Sequence, residues 1–287
     1  MTNPPRSSRS RQVKSVILRA LMYLCAGIAC ILLVFLIGYI CFRGIPHLTW
    51  QLVSTQTSYI QGTIGILPNI LNTLYIIFTS MIIVVPIGVC AAIYLTEYAR
   101  NRVLVRVIGF AVETLTGIPS IIFGLVGMLF FVQIWGLREG VLAGSLTLVI
   151  MVLPTIISNT QESLKTVPDS YREGALALGS GKWHMIRTVV LPNSMDGIVT
   201  GCILAIGRIT GESAALLFTA GIGLELNNYF QSLQSSSATL TVALYLFAGE
   251  QGEFDAAFAI AVILMALTLG LNLLAKFAGR KLKRGEE

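Results

Sequence analysis

Arg208 and Glu212 are the only ionisable side chains in Gly207–Ala220, GRITGESAALLFTA. Arg208 stands about 11 residues into an apolar run that begins near Gly197, which at 1.5 Å per residue puts it ~16 Å deep. A central charge in a membrane helix costs about 2.5–3.5 kcal/mol on insertion scales, so such a residue is kept for a use. Glu212 follows four positions on, about 40° round a helix, within reach of an ion pair. Gly201, Ala205, Ala215 and Thr219 project onto the same face. A small, polar face carrying a cation suits a water-filled path for an anion. The alternative is an ion pair that only holds helices together.

The second informative stretch is Glu173–Pro192, EGALALGSGKWHMIRTVVLP, a polar segment between two apolar runs. Pro168 fits the first turn of a helix, and Gly179 fits its stop. Ser180 can then cap a second helix running towards Pro192. The spacing predicts a helix–turn–helix lying at a membrane surface. Tyr171, Ala175 and Leu178 share one face of the first helix, and Met185, Val189 and Pro192 one face of the second. Ala175 and Gly179 are small enough for another protein to approach the backbone closely. Periodicity alone also fits a solvated loop with short helices.

Other chemistries find no support. Gly181-Lys182 has Leu176 where a P-loop needs its first glycine and Trp183 where it needs Ser or Thr. No zinc motif or nucleophile elbow appears, and His47 and His184 stand isolated. Cys25, Cys30, Cys41, Cys90 and Cys202 lie in or beside apolar runs at no metal-ligand spacing, as packing residues without disulfides. No catalytic residue, metal or cofactor is expected.

These residues need a membrane around them. The chain is 55% hydrophobic and 12% charged, against about 25% charged in a soluble domain, and its mean hydropathy is +0.78. Ala20–Phe42, Val141–Gln161 and Ala256–Ala275 carry no charge, and each can cross a hydrocarbon core of ~30 Å. The net charge of +6 could suggest nucleic acid. Its distribution instead follows the positive-inside rule. In a six-span reading Arg43 and Arg138 fall outside and Arg208 within a span, and the other 17 of the 20 Lys and Arg share one side.

Taken in order, a cytoplasmic basic tail (1–16) precedes a transmembrane domain (17–276) and a second basic tail (277–287). The first part of the N-terminal tail reads as disordered. Span 1 covers Ile17–Phe42 and is a retained anchor, since no cleavage site follows it. An external loop leads to span 2, Ile70–Leu95, whose Asn69, Thr73 and Ser80 form a polar lane facing another helix or the path. Arg102–Thr116 reads as an amphipathic interfacial helix, broken by Gly117 and Pro119 before span 3, Ser120–Trp135. Span 4 is Val141–Thr160, the cytoplasmic segment 161–196, span 5 Gly197–Thr219 and span 6 Ala256–Ala275. The external segment 220–254 is partly apolar, so it re-enters the membrane or lies on it. Both termini are expected in the cytoplasm.

Two resemblances add to this reading. Glu173, Gly174, Ala175, Gly179, Val189, Leu191 and Pro192 resemble the EAA signature of ABC-importer permeases: Glu-Ala-Ala, three residues, Gly, nine residues, Ile-x-Leu-Pro. Gly174 stands for the middle alanine and Val189 for isoleucine. Arg208-x-x-Gly211-Glu212 with Leu216–Thr219 resembles the PstA-type permeases of phosphate-specific importers. So do Asn72-Thr73-Leu74, Ala92–Leu95 with Glu97-Tyr98, Gly117–Leu125 and Val167–Leu178. Members often carry an arginine where this chain has Ser158.

The resemblance implies an all-α integral membrane protein with about six transmembrane helices, the type I ABC importer permease fold. In it, Glu173–Pro192 is a cytoplasmic coupling helix docking on an ATPase, and Arg208 and Glu212 lie in the translocation path. The implied partners are a second, PstC-like permease, a PstB-like ATPase dimer, an external phosphate-binding protein and membrane lipid, with no nucleic acid. The implied location is the bacterial cytoplasmic membrane and the implied cargo inorganic phosphate, with sulfate, molybdate or phosphonate as alternatives. An ATP-independent membrane protein is the remoter option. On this reading phosphate displaces Glu212 from Arg208, and the pair re-forms on release.

Overall fold

The computed structural model describes residues 9–58 and 62–284, with side chains over 14–58 and 62–279. The rest of both basic tails lies outside the described residues. Within them the chain is almost wholly helical. α1 (Arg9–Gly44) begins inside the expected N-terminal tail. After it come the short α2 (Trp50–Ser54) and an antiparallel hairpin, β1 (Gln56–Ser58) and β2 (Thr63–Ile66). α3 (Leu67–Ile93) ends in a wide π turn over Tyr94–Tyr98.

α4 (Arg102–Thr116) starts at Asn101, whose Oδ1 accepts from Val103 N at 2.9 Å and Leu104 N at 3.3 Å. It stops at Gly117–Pro119, and α5 (Ser120–Gly127) with its π turn to Ile134 leaves at 101°. The helix and its break both lie where the amphipathic pattern and Pro119 put them. Five stretches are long and apolar enough to cross a membrane, and the bent α4–α5 pair can be a sixth.

α6 (Val141–Thr166) leads to α7 (Asp169–Ala177) and α8 (Lys182–Met185), and a π turn over Ile186–Val190 joins α8 to α9 (Leu191–Thr210). The expected boundaries of span 5 are corrected at both ends. Helix runs unbroken from Lys182, through Pro192, to Thr210. Proline lacks an N–H and crowds the carbonyl four residues back, and the widened turn before it gives that carbonyl room. At the other end Gly211 stops the helix, and a separate α10 (Ala214–Thr219) follows.

The remaining elements are α11 (Tyr229–Ser232), α12 (Leu240–Tyr245) with a π turn to Glu250, and α13 (Phe254–Arg284). α12 is buried through Leu240, Val242, Ala243, Leu246 and Phe247, so the apolar part of 220–254 enters the bundle. α1 leans only on the side of the bundle. Gly44 lets it cross α13 where a Cβ would lie 2.4 Å from Phe258 O, and Tyr39 stacks edge-on against Phe258. Its Leu, Ile and Val side chains otherwise face outward, as lipid-facing residues do.

The core joins α3, α6, α9 and α10 through Ile76, Val84, Leu148, Met151, Ile156, Ile209 and Leu216. Small residues set the spacing, as is usual where lipid removes the hydrophobic drive between helices. A Cβ on Gly88 would lie 2.5 Å from Ile156, and one on Gly124 would lie 2.8 Å from the Ala215 Cα. The polar lane on α3 is spent on helix contacts. Asn69 and Asn72 Nδ2 donate to Ala238 O, Thr73 Oγ1 accepts from Leu240 N, and Ser80 reaches Ser145 O.

Candidate functional site

Arg208 sits in the last turn of α9. The helix ends two residues on, where Gly211 N and Glu212 N bond back to Gly207 O and Ile209 O. Glu212 therefore leaves the helix, and the expected pair does not form. The Glu212 carboxylate is buried and its Oε1 accepts from Ala215 N at 3.0 Å, capping α10. Each charge serves a different helix: the guanidinium stands at the negative end of α9, the carboxylate at the positive end of α10. The Glu212 carbonyl is tied down separately by Thr241 Oγ1 at 2.8 Å. Arg208 has no ion pair or hydrogen bond among the described residues.

The small residues of the same expected face pack rather than line a channel. A Cβ on Gly201 would lie 2.9 Å from Asn159 Cβ, Gly124 packs closely on Ala215, and Ala205 and Thr219 are fully buried. The open side belongs to Arg208 itself. It is half-buried, and Leu204 and Gly211, one turn away in either direction, are exposed. The guanidinium thus borders a face that this chain leaves uncovered.

The other expected site lies at the far end of the same helical rod. Lys182–Thr210 spans 29 residues, ~43 Å at 1.5 Å per residue. α6 turns at Val167-Pro168 into α7, and α7 ends where Gly179 takes φ +82°. Ser180 N then bonds to Ala175 O and Gly179 N to Leu176 O, closing the last turn. Ser180 does not cap α8. Its hydroxyl donates to Gly181 O, and Gly181 occupies the cap position.

The segment has an inner and an outer side. Inside, Leu164, Val167, Met185, Ile186 and Val190 pack on Ala92 and Ile93, with Ala175 and Leu191 at the edge. Outside stand Glu173, Gly174 and Gly179, flanked by exposed Tyr171, Leu176 and Trp183 and by Leu178 at 91% exposure. Val189 and Pro192 are half-buried on and beside the wide turn. The face expected to join Tyr171, Ala175 and Leu178 is therefore divided: Tyr171 and Leu178 are exposed, while Ala175 packs on the inner cluster.

Two side chains given no role by the sequence argument anchor this segment. Arg172 donates to Glu97 Oε1 from Nε at 3.1 Å and from Nη2 at 2.9 Å. It also donates to the carbonyls of Leu164 at 2.8 Å and Val167 at 2.6 Å. The Arg172 and Glu97 side chains are 16% and 7% exposed. Lys182 Nζ donates to the Glu97 carbonyl and lies 5.0 Å from the Tyr98 ring centre. No spacing rule joins positions so far apart in sequence. The available signal was a carboxylate at a span end and an arginine in the segment that must pack on it.

Comparison with known proteins gives the family and the fold. The family model described as "Binding-protein-dependent transport system inner membrane component" matches residues 84–284. The probable ABC transporter permease protein YqgI of Bacillus subtilis is 34% identical over 283 residues, 94% of this chain and 96% of that one. The phosphate transport system permease protein PstA of Yersinia pestis is 36% identical over 83% of this chain and 86% of its own length. PstA of Pasteurella multocida is 32% identical over 93% and 94%.

Among solved structures, a permease of a bacterial alginate ABC transporter, in complex with an alginate-bound periplasmic protein, superposes with a TM-score of 0.67. It is 15% identical, over 95% of this chain and 97% of that one. A chain of the methionine transporter MetNI gives 0.56 at 21% identity, over 78% and 94%. At these identities the structures establish the fold alone, that of type I importer permeases. Such permeases are not themselves enzymes. The chain belongs to the binding-protein-dependent transport system inner membrane components, as a multi-pass, PstA-like permease of an ABC importer.

Proposed function

We propose that this chain is one half of the membrane path of a phosphate importer. The observation that carries the reading is the guanidinium of Arg208, unpaired among the described residues in the last turn of α9 and bordering an uncovered face. An unpaired cation in a low-dielectric setting calls for an anion. Arginine offers a fixed charge and a planar fork of donors suited to phosphate oxygens. The relatives named as phosphate permeases favour phosphate over sulfate, molybdate or phosphonate.

In this reading a second, PstC-like permease covers the Leu204–Gly211 side and completes the path. Glu212 is a wall residue that fixes the break in the helix and does not compete for the cation. The segment 161–196 lies in the cytoplasm with both termini, following the bias of Lys and Arg. Its outer side, around Glu173, Gly174 and Gly179, docks on a PstB-like ATPase. Ala175, Val189, Leu191 and Pro192 transmit the load into α9. An external phosphate-binding protein delivers the anion at the opposite end.

The test is uptake of labelled phosphate by the reconstituted complex with trapped ATP, in competition with sulfate, molybdate and a phosphonate. Phosphate should be carried and the others should compete poorly. Preferential uptake of one of the others would reassign the cargo and leave the path in place.

A further inference from the structure

We propose that Arg172, Glu97 and Lys182 form a latch through which the coupling segment drives α3, and that they are positioning residues for transport. The inference rests on the reading of 161–196 as the ATPase-coupling segment.

The latch gathers three helices onto one turn. Arg172 belongs to α7, and its bonds to Leu164 O and Val167 O close the end of α6. Two of its other donors hold the Glu97 carboxylate, in the π turn that ends α3. Lys182, the first residue of α8, holds the Glu97 carbonyl and covers Tyr98. A planar guanidinium has donors enough to serve a carboxylate and two carbonyls together, which an ammonium cannot do in one plane. The pair is nearly out of solvent, and although Arg172 Nη1 also donates to the exposed Asp169 Oδ1 at 3.2 Å, Arg172 is the ion-pair partner of the buried Glu97 carboxylate among the described residues. A displacement of α7 or α8 therefore reaches Glu97 without slack.

The opposite end of α3 meets the break beside Arg208. Asn69 and Asn72 hold the Ala238 carbonyl, and Thr73 holds Leu240 N. Three residues on from Ala238, Thr241 holds the Glu212 carbonyl. Hydrogen bonds thus run from the coupling segment to the break by way of α3. The direct route along α9 passes through the wide turn Ile186–Val190, as the α3 route passes through the wide turn Tyr94–Tyr98. The α3 route is tied by side-chain bonds at both of its ends. The contacts make the route physically continuous, and a coupling measurement decides whether load travels it.

The experiment uses the assembled complex of permeases, ATPase and binding protein in nanodiscs, with the five native cysteines replaced and Leu204→Cys as a reporter beside Arg208. Labelling of this cysteine by a water-soluble maleimide is compared without nucleotide and with ATP trapped. The reporter does not depend on which anion is carried. With the latch intact, labelling should differ between the two states. Glu97→Gln keeps the shape and removes the charge. It should shrink that difference by about threefold or more while ATPase binding and hydrolysis persist. Lys182→Gln, on the exposed rim, should shrink it less, and it decides the matter if Glu97→Gln fails to assemble.

An undiminished labelling difference in whichever variants assemble overturns the latch. So does a loss that only tracks lost ATPase binding, which would make these residues part of the dock. If the intact complex shows no labelling difference, or the ATPase does not associate with it, the coupling reading itself fails and the latch with it.

Discussion

Gly179 separates the strain of a turn from the cost of a dock. Its φ is +82°, a region where a side chain costs about 1–2 kcal/mol. A Cβ added there meets nothing within 4 Å of its own chain. Gly179→Ala and Gly179→Leu should therefore destabilise the isolated permease equally, agreeing within about 0.5 kcal/mol, because neither adds an internal clash. They should part company once the ATPase is present. Leucine adds bulk beside Leu178 and Trp183, on the surface that faces out. Overpacking a close contact costs about 1–3 kcal/mol, or roughly 5- to 150-fold in affinity. The assay is titration of the ATPase onto permease complexes in nanodiscs, with thermal unfolding of the isolated permease alongside. Gly174→Ala is the control. It also meets nothing within 4 Å, and it should stabilise α7 by about 1 kcal/mol. Equal ATPase affinity for Gly179→Ala and Gly179→Leu would refute the docking of this turn.

The other predictions concern the path and the orientation. Arg208→Gln should abolish phosphate uptake while complex assembly and ATP binding persist, and Arg208→Lys should keep part of it, since the charge remains and the fork does not. Near-normal uptake by Arg208→Gln would make the arginine structural. Glu212→Ala leaves the buried Ala215 N without its acceptor and should cost about 1–3 kcal/mol, whereas Glu212→Gln retains an oxygen and should cost less. Thermal unfolding that ranked the two alike would mean that this bond does not hold the break. Lys182→Cys, in a cysteine-free background, should be labelled from the cytoplasmic side alone, and external labelling would invert the topology.

What could be read from the sequence followed from local rules. Pro119 and the amphipathic stripe of Arg102–Thr116 act within a few residues of themselves, so this helix and its break were legible. So was the stop at Gly179. Failures came where a second element decided the outcome. Pro192 looks like a helix boundary, yet the widened turn before it lets one helix run from Lys182 to Thr210. Four-residue spacing pairs Arg208 with Glu212 only if the helix continues. Thr241 and Ala215 N instead fix Glu212 in a separate turn, and both partners come from outside α9. The Glu97–Arg172 pair depends wholly on packing between distant segments.

The break also answers an energetic question about an anion path. A permanent Arg208–Glu212 pair would relieve the insertion cost of both charges, but it would quench the cation that an anion needs. Here the carboxylate is compensated by the N-terminus of α10 and the guanidinium by the C-terminus of α9. A helix end supplies about 0.3–1 kcal/mol, rising to ~2 when partly buried, and the cost of about 2.5–3.5 kcal/mol for a charge at a helix centre is an upper bound for Arg208 in the last turn of α9. With no ion pair or hydrogen bond among the described residues, Arg208 is left partly uncompensated. In the proposed path that remainder of unfavourable energy is what a passing phosphate relieves. Because only part of the cost remains to be relieved, the bound anion is held weakly enough to leave.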